Sequence, residues 1–207
     1  MYLLDIQSFQ LTPFVTNCYV VRDNGEAIII DPGEAVPELK EAVEGYNVTT
    51  IVNTHCHIDH CAGNAGVKEF TGADLILPEG ELPLLENIAS QGQMFGVEVS
   101  PSPPPDRFIK EGDVITVGEV KFDVYDTPGH SPAHVVLVGD GLIFGGDVLF
   151  QGSIGRTDLP GGSMETLLES IKTKLWPLPD ETVVFSGHGP PTTIGQEKQT
   201  NPFLVGL

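Results

Sequence analysis

Six consecutive residues, His55-Cys56-His57-Ile58-Asp59-His60, place three imidazoles and a carboxylate directly after the β-branched run Val48 to Val52. Imidazole nitrogens with a hard carboxylate oxygen suit Zn²⁺, and also Fe or Mn. Alternate side chains of an extended segment share a face, so His55 and His57 reach one ion together while Asp59 and His60 turn toward a second position. The chain holds six histidines, the other three being His130, His134 and His188. His130 lies in Thr127-Pro128-Gly129-His130-Ser131-Pro132, His188 in Ser186-Gly187-His188-Gly189, and Asp147 in Gly145-Gly146-Asp147. Each is a Gly- or Pro-flanked turn after a predicted strand, and a rigid sheet can aim such short loops at one spot. His55, His57, Asp59, His60, His130, Asp147 and His188 are therefore candidate metal ligands. His134 begins a strand and reads as a core residue or a hydrogen-bonding partner behind the ligands. Cys56 and Cys61 each neighbour a better ligand and read as small buried hydrophobes. Arg156 is a candidate clamp for a substrate carboxylate, with an internal pair to Asp158 or another acid as the alternative.

The elements that must position these residues are short. Leu3 to Phe9, Asn17 to Arg22 and Ala27 to Ile30 read as strands, the last two joined by the turn signal Asp23-Asn24-Gly25. Glu34 to Glu44 has helical spacing, and Val48 to Val52 is a buried strand, so the pair forms a βαβ unit. A helix over Asn64 to Phe70, a strand at Ala73 to Leu77 and a helix over Leu82 to Phe95 follow. The proline-rich stretch Val97 to Asp106 reads as a loop within one domain. Val114 to Val117, Lys121 to Tyr125, Val135 to Val138, Leu142 to Phe144 and Thr182 to Phe185 form a second set of strands. A helix from its N-cap Ser163 to Leu175 lies among them. Two such halves suggest an α/β chain of two sheets with helices outside.

The run from Thr54 to His60, with His130, Asp147 and His188 at these intervals, resembles the metallo-β-lactamase superfamily. That resemblance implies a four-layer αββα sandwich of mixed sheets with a two-metal site on its edge. It implies that His55, His57 and His130 hold one metal, that Asp59, His60 and His188 hold the other, and that Asp147 bridges both. Asp31, in Asp31-Pro32-Gly33, would brace the ligand loops from behind. The run Gly146 to Gly162 and the ending from Gly189 to Phe203 are similar to the short glyoxalase-II-like hydrolases. Full-length glyoxalase II adds a C-terminal helical domain that contacts glutathione; this chain is expected to be a single domain, 1–207, without it. True β-lactamases usually carry Cys or Ser where this chain has Asp147.

Two metals sharing a water bring its pKa toward neutrality, so a bridging hydroxide can attack a carbonyl while a metal stabilises the oxyanion. Asp59 would be both a ligand and the base that orients this hydroxide. No general acid is evident, and a thiolate leaves without one, so a thioester or activated ester is the expected substrate. A lactone or β-lactam on the same fold is an alternative. The run Gly155-Arg156-Thr157-Asp158 is also similar to that of persulfide dioxygenases, which implies a further alternative with one iron on His55, His130 and Asp147.

Ten Lys and Arg against 29 Asp and Glu give a net charge of −19, a field that repels phosphate backbones and excludes nucleic acid as an expected partner. The N-terminus lacks a signal-peptide pattern and no apolar run is long enough to span a bilayer. Three cysteines are too few for a disulfide scaffold. The expectation is a cytoplasmic enzyme, monomer or homodimer, acting on a small acyl thioester or ester with two divalent ions, Zn²⁺ first, without a membrane or nucleic-acid partner.

Overall fold

The computed structural model describes residues 4–206. Residues up to Ile109 with Thr116–Lys121 form one compact unit, and Lys110–Ile115 with residues from Phe122 onward form the other.

The first unit contains β1 (Asp5–Leu11), β2 (Thr16–Asp23), β3 (Glu26–Ile30), α1 (Pro37–Ala42), β4 (Asn47–Val52), α2 (Ile58–Cys61), α3 (Asn64–Thr71), β5 (Asp74–Pro78), α4 (Leu82–Glu86), α5 (Ile88–Phe95) and β6 (Arg107–Ile109). Its sheet runs in chain order from β1 to β6. β1 to β3 are antiparallel and β3 to β6 parallel. Asn24 and Gly25 both have positive φ, 48° and 79°, the signature of the two-residue turn that suits a twisted hairpin. The expected βαβ unit is present as β3-α1-β4. Its helix is shorter than expected because Pro37, whose missing N–H costs nothing in the first turn, opens it. Ile29, Ile51, Leu75 and Leu77 of the sheet pack with Leu39, Val67, Leu85 and Ile88 of the helices into one core.

The chain continues, mostly in the second unit, with β7 (Val114–Val117), β8 (Val120–Asp126), β9 (Val135–Gly139), β10 (Leu142–Gly146), β11 (Leu149–Phe150), β12 (Ser153–Ile154), α6 (Met164–Ser170), β13 (Val183–Ser186), β14 (Thr192–Thr193) and α7 (Ile194–Thr200). Its main sheet has the order β14-β13-β10-β9-β8-β7. β10 and β13 are parallel, so Asp147 and His188 leave adjacent strands at the same end. Val138, Ile143 and Val184 pack with Leu167, Ile171 and Leu175 beneath them.

Several expectations needed correction. The single helix over Leu82 to Phe95 is two, because Asn87 leaves helical geometry and its side-chain amide donates to the Pro83 carbonyl at 2.8 Å. The proline-rich stretch to Asp106 is irregular as expected, whereas β6 just beyond it, α7 and the β11–β12 hairpin were not anticipated, the strands being too short to show a period. Leu3, the expected start of β1, lies outside the described residues. Ser163 does cap α6, its hydroxyl accepting from the Thr166 N–H. The Ser163 N–H in turn donates to the Gly129 carbonyl at 2.8 Å, fastening the helix beside His130. Ser163→Ala is expected to cost about 1 kcal/mol in urea denaturation, and Ser163→Gly only a few tenths.

Candidate metal centre

In the first unit the candidate ligand segment leaves the end of β4, bends at Thr54 and His55 and is extended at His57, where φ −68° and ψ 147° precede α2. His55 and His57 come together as the sequence leads one to expect, though through a bend and not a regular extended run. The rings of His55 and His57 lie 4.8 Å apart, and those of His55 and His60 lie 4.1 Å apart. His55, His57 and His60 are buried.

Asp31 organises this half. It is 2% exposed and accepts the Thr54 N–H at 2.7 Å, the Thr54 hydroxyl at 2.7 Å and His60 Nδ1 at 3.1 Å. Because the Thr54 hydroxyl spends its proton on Asp31, its oxygen must accept from His55 Nδ1, 3.1 Å away. Both Nδ1 atoms therefore carry protons, and the Nε2 atoms of His55 and His60 present lone pairs. Asp59 is held separately, Oδ2 accepting the Thr16 hydroxyl at 2.7 Å.

Sequence reasoning missed the residues that hold the segment in place. Gln91 of α5 accepts the Ile58 N–H at 3.0 Å through Oε1 and donates Nε2 to the Cys56 carbonyl at 3.0 Å, so an amide side chain stands in for a strand neighbour. The buried Glu81 accepts the Cys56 N–H at 3.0 Å. The only available signal was a polar residue three past Ile88 on the inward face of a helix. Gly33 is required at this place, since a Cβ there would stand 1.9 Å from the Asp59 carbonyl oxygen. Cys56 and Cys61 are buried in the core, as their hydrophobe reading expects, and burial pushes the Cys56 thiol well above its ordinary range.

In the second unit His130 follows β8, Asp147 follows β10 and His188 follows β13. His130 Nδ1 lies 2.8 Å from the Arg156 carbonyl, which can only accept, so Nε2 of His130 presents the lone pair. His134 is committed elsewhere: its Nε2 accepts the Asp147 N–H at 3.1 Å and its Nδ1 faces the Thr127 hydroxyl at 3.1 Å. It braces the Asp147 backbone. A Cβ at Gly155 would meet the Asp147 carbonyl oxygen at 1.9 Å, so the chain passes there only as glycine.

Three pairs of donor atoms share one spacing. Asp147 Oδ2 is 3.5 Å from His130 Nε2 and 3.5 Å from His188 Nε2, and Asp59 Oδ2 is 3.5 Å from His60 Nε2. A proton shared between imidazole and carboxylate would draw the atoms to about 2.7–2.9 Å. Two ligands each about 2.1 Å from one tetrahedral ion stand about 3.4 Å apart. The donor set and its spacing thus fit divalent cations.

Arg156 pairs with Asp158 through two bonds of 2.7 Å, with both side chains exposed, so the guanidinium is engaged within its own loop. That pairing holds the Asp158 carboxyl at about 2. A lowered carboxyl pKa stabilises above the unfolded value, about 3.9, and the contribution is lost as pH falls through the folded one. An NMR titration is expected to find the Asp158 midpoint near 2, returning toward 4 in Arg156→Ala. Thr54→Val severs His55 from Asp31; chelator competition is expected to show metal affinity reduced about 10–100-fold, with Thr54→Ser recovering most of it.

Comparison with known proteins adds the family. The metallo-beta-lactamase superfamily matches residues 11–188. The chain is 39% identical to "Hydroxyacylglutathione hydrolase GloC" of Haemophilus influenzae, over 97% of this chain and 98% of that one. Among solved structures it is similar to the BLEG-1 B3 metallo-beta-lactamase, with TM-score 0.91 and 39% identity, covering 98% of this chain and 100% of the other. It is also similar to TTHA1623 in a di-iron-bound form, with TM-score 0.86 and 37% identity, covering 96% and 100%. The fold class and the resemblance expected from sequence both hold: this chain belongs to the metallo-β-lactamase superfamily.

Proposed function

We propose that this chain is a metal-dependent hydrolase of small acyl thioesters or activated esters, working with two divalent ions. The observation that carries the reading is Asp147 Oδ2 flanked at 3.5 Å by the Nε2 atoms of both His130 and His188. One carboxylate beside two imidazoles from different loops is the disposition of a shared ligand. In this reading His55, His57 and His130 take one ion, Asp59, His60 and His188 the other, and Asp147 both. Zn²⁺ suits these donors first; Fe and Mn suit them as well, and the di-iron form of TTHA1623 supports iron.

When bound, the ions would supply a water acidified toward neutrality and a Lewis acid for the carbonyl oxygen. The chain's own residues do the rest. The Thr16 hydroxyl fixes the Asp59 carboxylate so that it receives the proton of the attacking water. Asp31 and Thr54 hold His60 and His55 in the tautomers that face their lone pairs forward. No side chain is assigned as general acid, so the favoured leaving group is one that departs as an anion, a thiolate or activated alkoxide. The hydroxyacylglutathione hydrolase relative supports this class.

The charge of −19 supports a small-molecule substrate over nucleic acid, with a monomer or homodimer as the working unit. Among the described residues no helix is long and apolar enough to cross a membrane. Three buried free cysteines support a reducing, cytoplasmic setting. A second reading, β-lactam hydrolysis, draws support from the similarity to BLEG-1.

The test is elemental analysis of the purified protein with a panel of lactoylglutathione, p-nitrophenyl acetate and a β-lactam. Expected are two metals per chain and metal-dependent turnover of the thioester or aryl ester. Preference for the β-lactam would favour the second reading. A single iron per chain with oxygen uptake on a persulfide would overturn both. Asp147→Ala is expected to lower metal content and cut kcat/KM by 10³-fold or more, since one lost carboxylate weakens both positions.

A further inference from the structure

A cavity of about 560 Å³ opens within the first unit, and Asp59 stands in its wall. Its lining is apolar around that carboxylate: Pro13, Phe14, Ile58, Ala62, Val97 and Val99. Three further carboxylates, Glu34, Glu69 and Glu98, all exposed, share the lining with the hydroxyls of Thr12 and Ser100, and no Lys or Arg stands among them. Ligand sites combine such apolar walls with a few placed polar groups, and this volume lies within their usual range of about 300–1,000 Å³.

The wall nearest β1 is held in costly backbone. Thr12 and Val15 have φ of 63° and 58°, and a β-branched residue there is an outlier. Strain of this kind persists only where the surroundings fix it, and it gathers at ligand-binding places. Here the Thr12 hydroxyl accepts the Phe14 N–H at 3.2 Å and lies 3.3 Å from the Thr16 hydroxyl, which donates to Asp59. The turn that presents Phe14 is thereby tied to the proposed base. Phe14 also meets Phe95 edge to face at 5.3 Å, and with Val15, Met94 and Phe95 exposed the apolar surface continues outward from the cavity.

We propose that this cavity receives the acyl chain of the substrate, and that the chain it selects is apolar and uncharged. The inference rests on the hydrolase reading above. Pro13, Phe14, Val97 and Val99 offer methylene-sized contacts along a path beginning at Asp59. The exposed glutamates of the lining repel a chain ending in a carboxylate. Lactoyl groups and other short hydroxyacyl chains would leave most of the space unfilled, so the best substrate carries a longer aliphatic or aromatic acyl group.

The experiment compares kcat/KM for three p-nitrophenyl esters sharing one leaving group: acetyl, hexanoyl and the carboxylate-ended adipoyl. Each buried methylene contributes about fourfold. Expected for the metal-loaded protein is a hexanoyl preference over acetyl of at least tenfold, and over adipoyl of similar size. In Val99→Trp, which fills the cavity, the hexanoyl-to-acetyl ratio should fall about tenfold. In the double variant Glu34→Gln/Glu98→Gln, the hexanoyl-to-adipoyl ratio should fall several-fold with the hexanoyl-to-acetyl ratio retained. Turnover of all three esters at ratios that neither variant moves would overturn the cavity assignment while leaving the hydrolase reading standing. Turnover of none, with metal bound, would overturn the hydrolase reading itself. Should Val99→Trp fail to fold, the glutamate variant still decides, because exposed carboxylates contribute little to stability.

Discussion

Acceptor facing acceptor is the constraint on which the site's architecture turns. His130 is forced by the Arg156 carbonyl, and His60 by the Asp31 carboxylate, to carry the proton on Nδ1. Each then turns an Nε2 lone pair toward an aspartate oxygen 3.5 Å away. Lone pair against carboxylate, largely shielded from bulk water, is repulsive. Positive charge between them reverses the sign. A fold that spends hydrogen bonds to aim acceptors at one another is built around cations it expects to hold, and net charge elsewhere on the molecule does not compete with that local demand.

The candidate ligands were legible in the sequence because their chemistry is carried by residue type. Six histidines are few enough to sort, and those after strand ends stood apart from His134, which begins a strand and proves to support the Asp147 backbone. The supports were not legible. Thr54 acts only because its hydroxyl lies between His55 and Asp31, and Gln91 only because α5 brings its amide against residues 35 positions earlier. Threonine and glutamine are common, and nothing in their spacing reports such a neighbour. The strands of the βαβ unit were read because β-branched runs report burial. α7 and the β11–β12 hairpin were missed because two-residue strands have no period and Glu197 inside a helix reads as solvent-facing.

Glu197 shows what that last miss concealed. It is buried, and it accepts the Gly152 N–H at 2.8 Å and the Asn201 side-chain amide at 2.8 Å. The Asn201 amide also reaches the Ser153 carbonyl at 3.0 Å. The end of the chain thus clamps the hairpin between Asp147 and Gly155, the glycine that passes against the Asp147 carbonyl. Each of these donors offsets part of the cost of burying a polar group. Such a clamp fixes a loop that is too short to fix itself.

The same logic explains the backbone at Asp31, whose φ is 51°. A residue other than glycine in that region costs of order 1 kcal/mol or more. Its N–H donates to the Val52 carbonyl at 2.9 Å, joining the ends of β3 and β4, while its carboxylate collects three donors from Thr54 and His60. Hydrogen bonds to a charged group are worth about 1.5–3 kcal/mol each, so the network outweighs the strain. A relaxed residue there would point its side chain elsewhere, and two imidazoles would lose the partner that sets their protons. Local strain is kept because the orientation of the candidate ligands His55 and His60 depends on it.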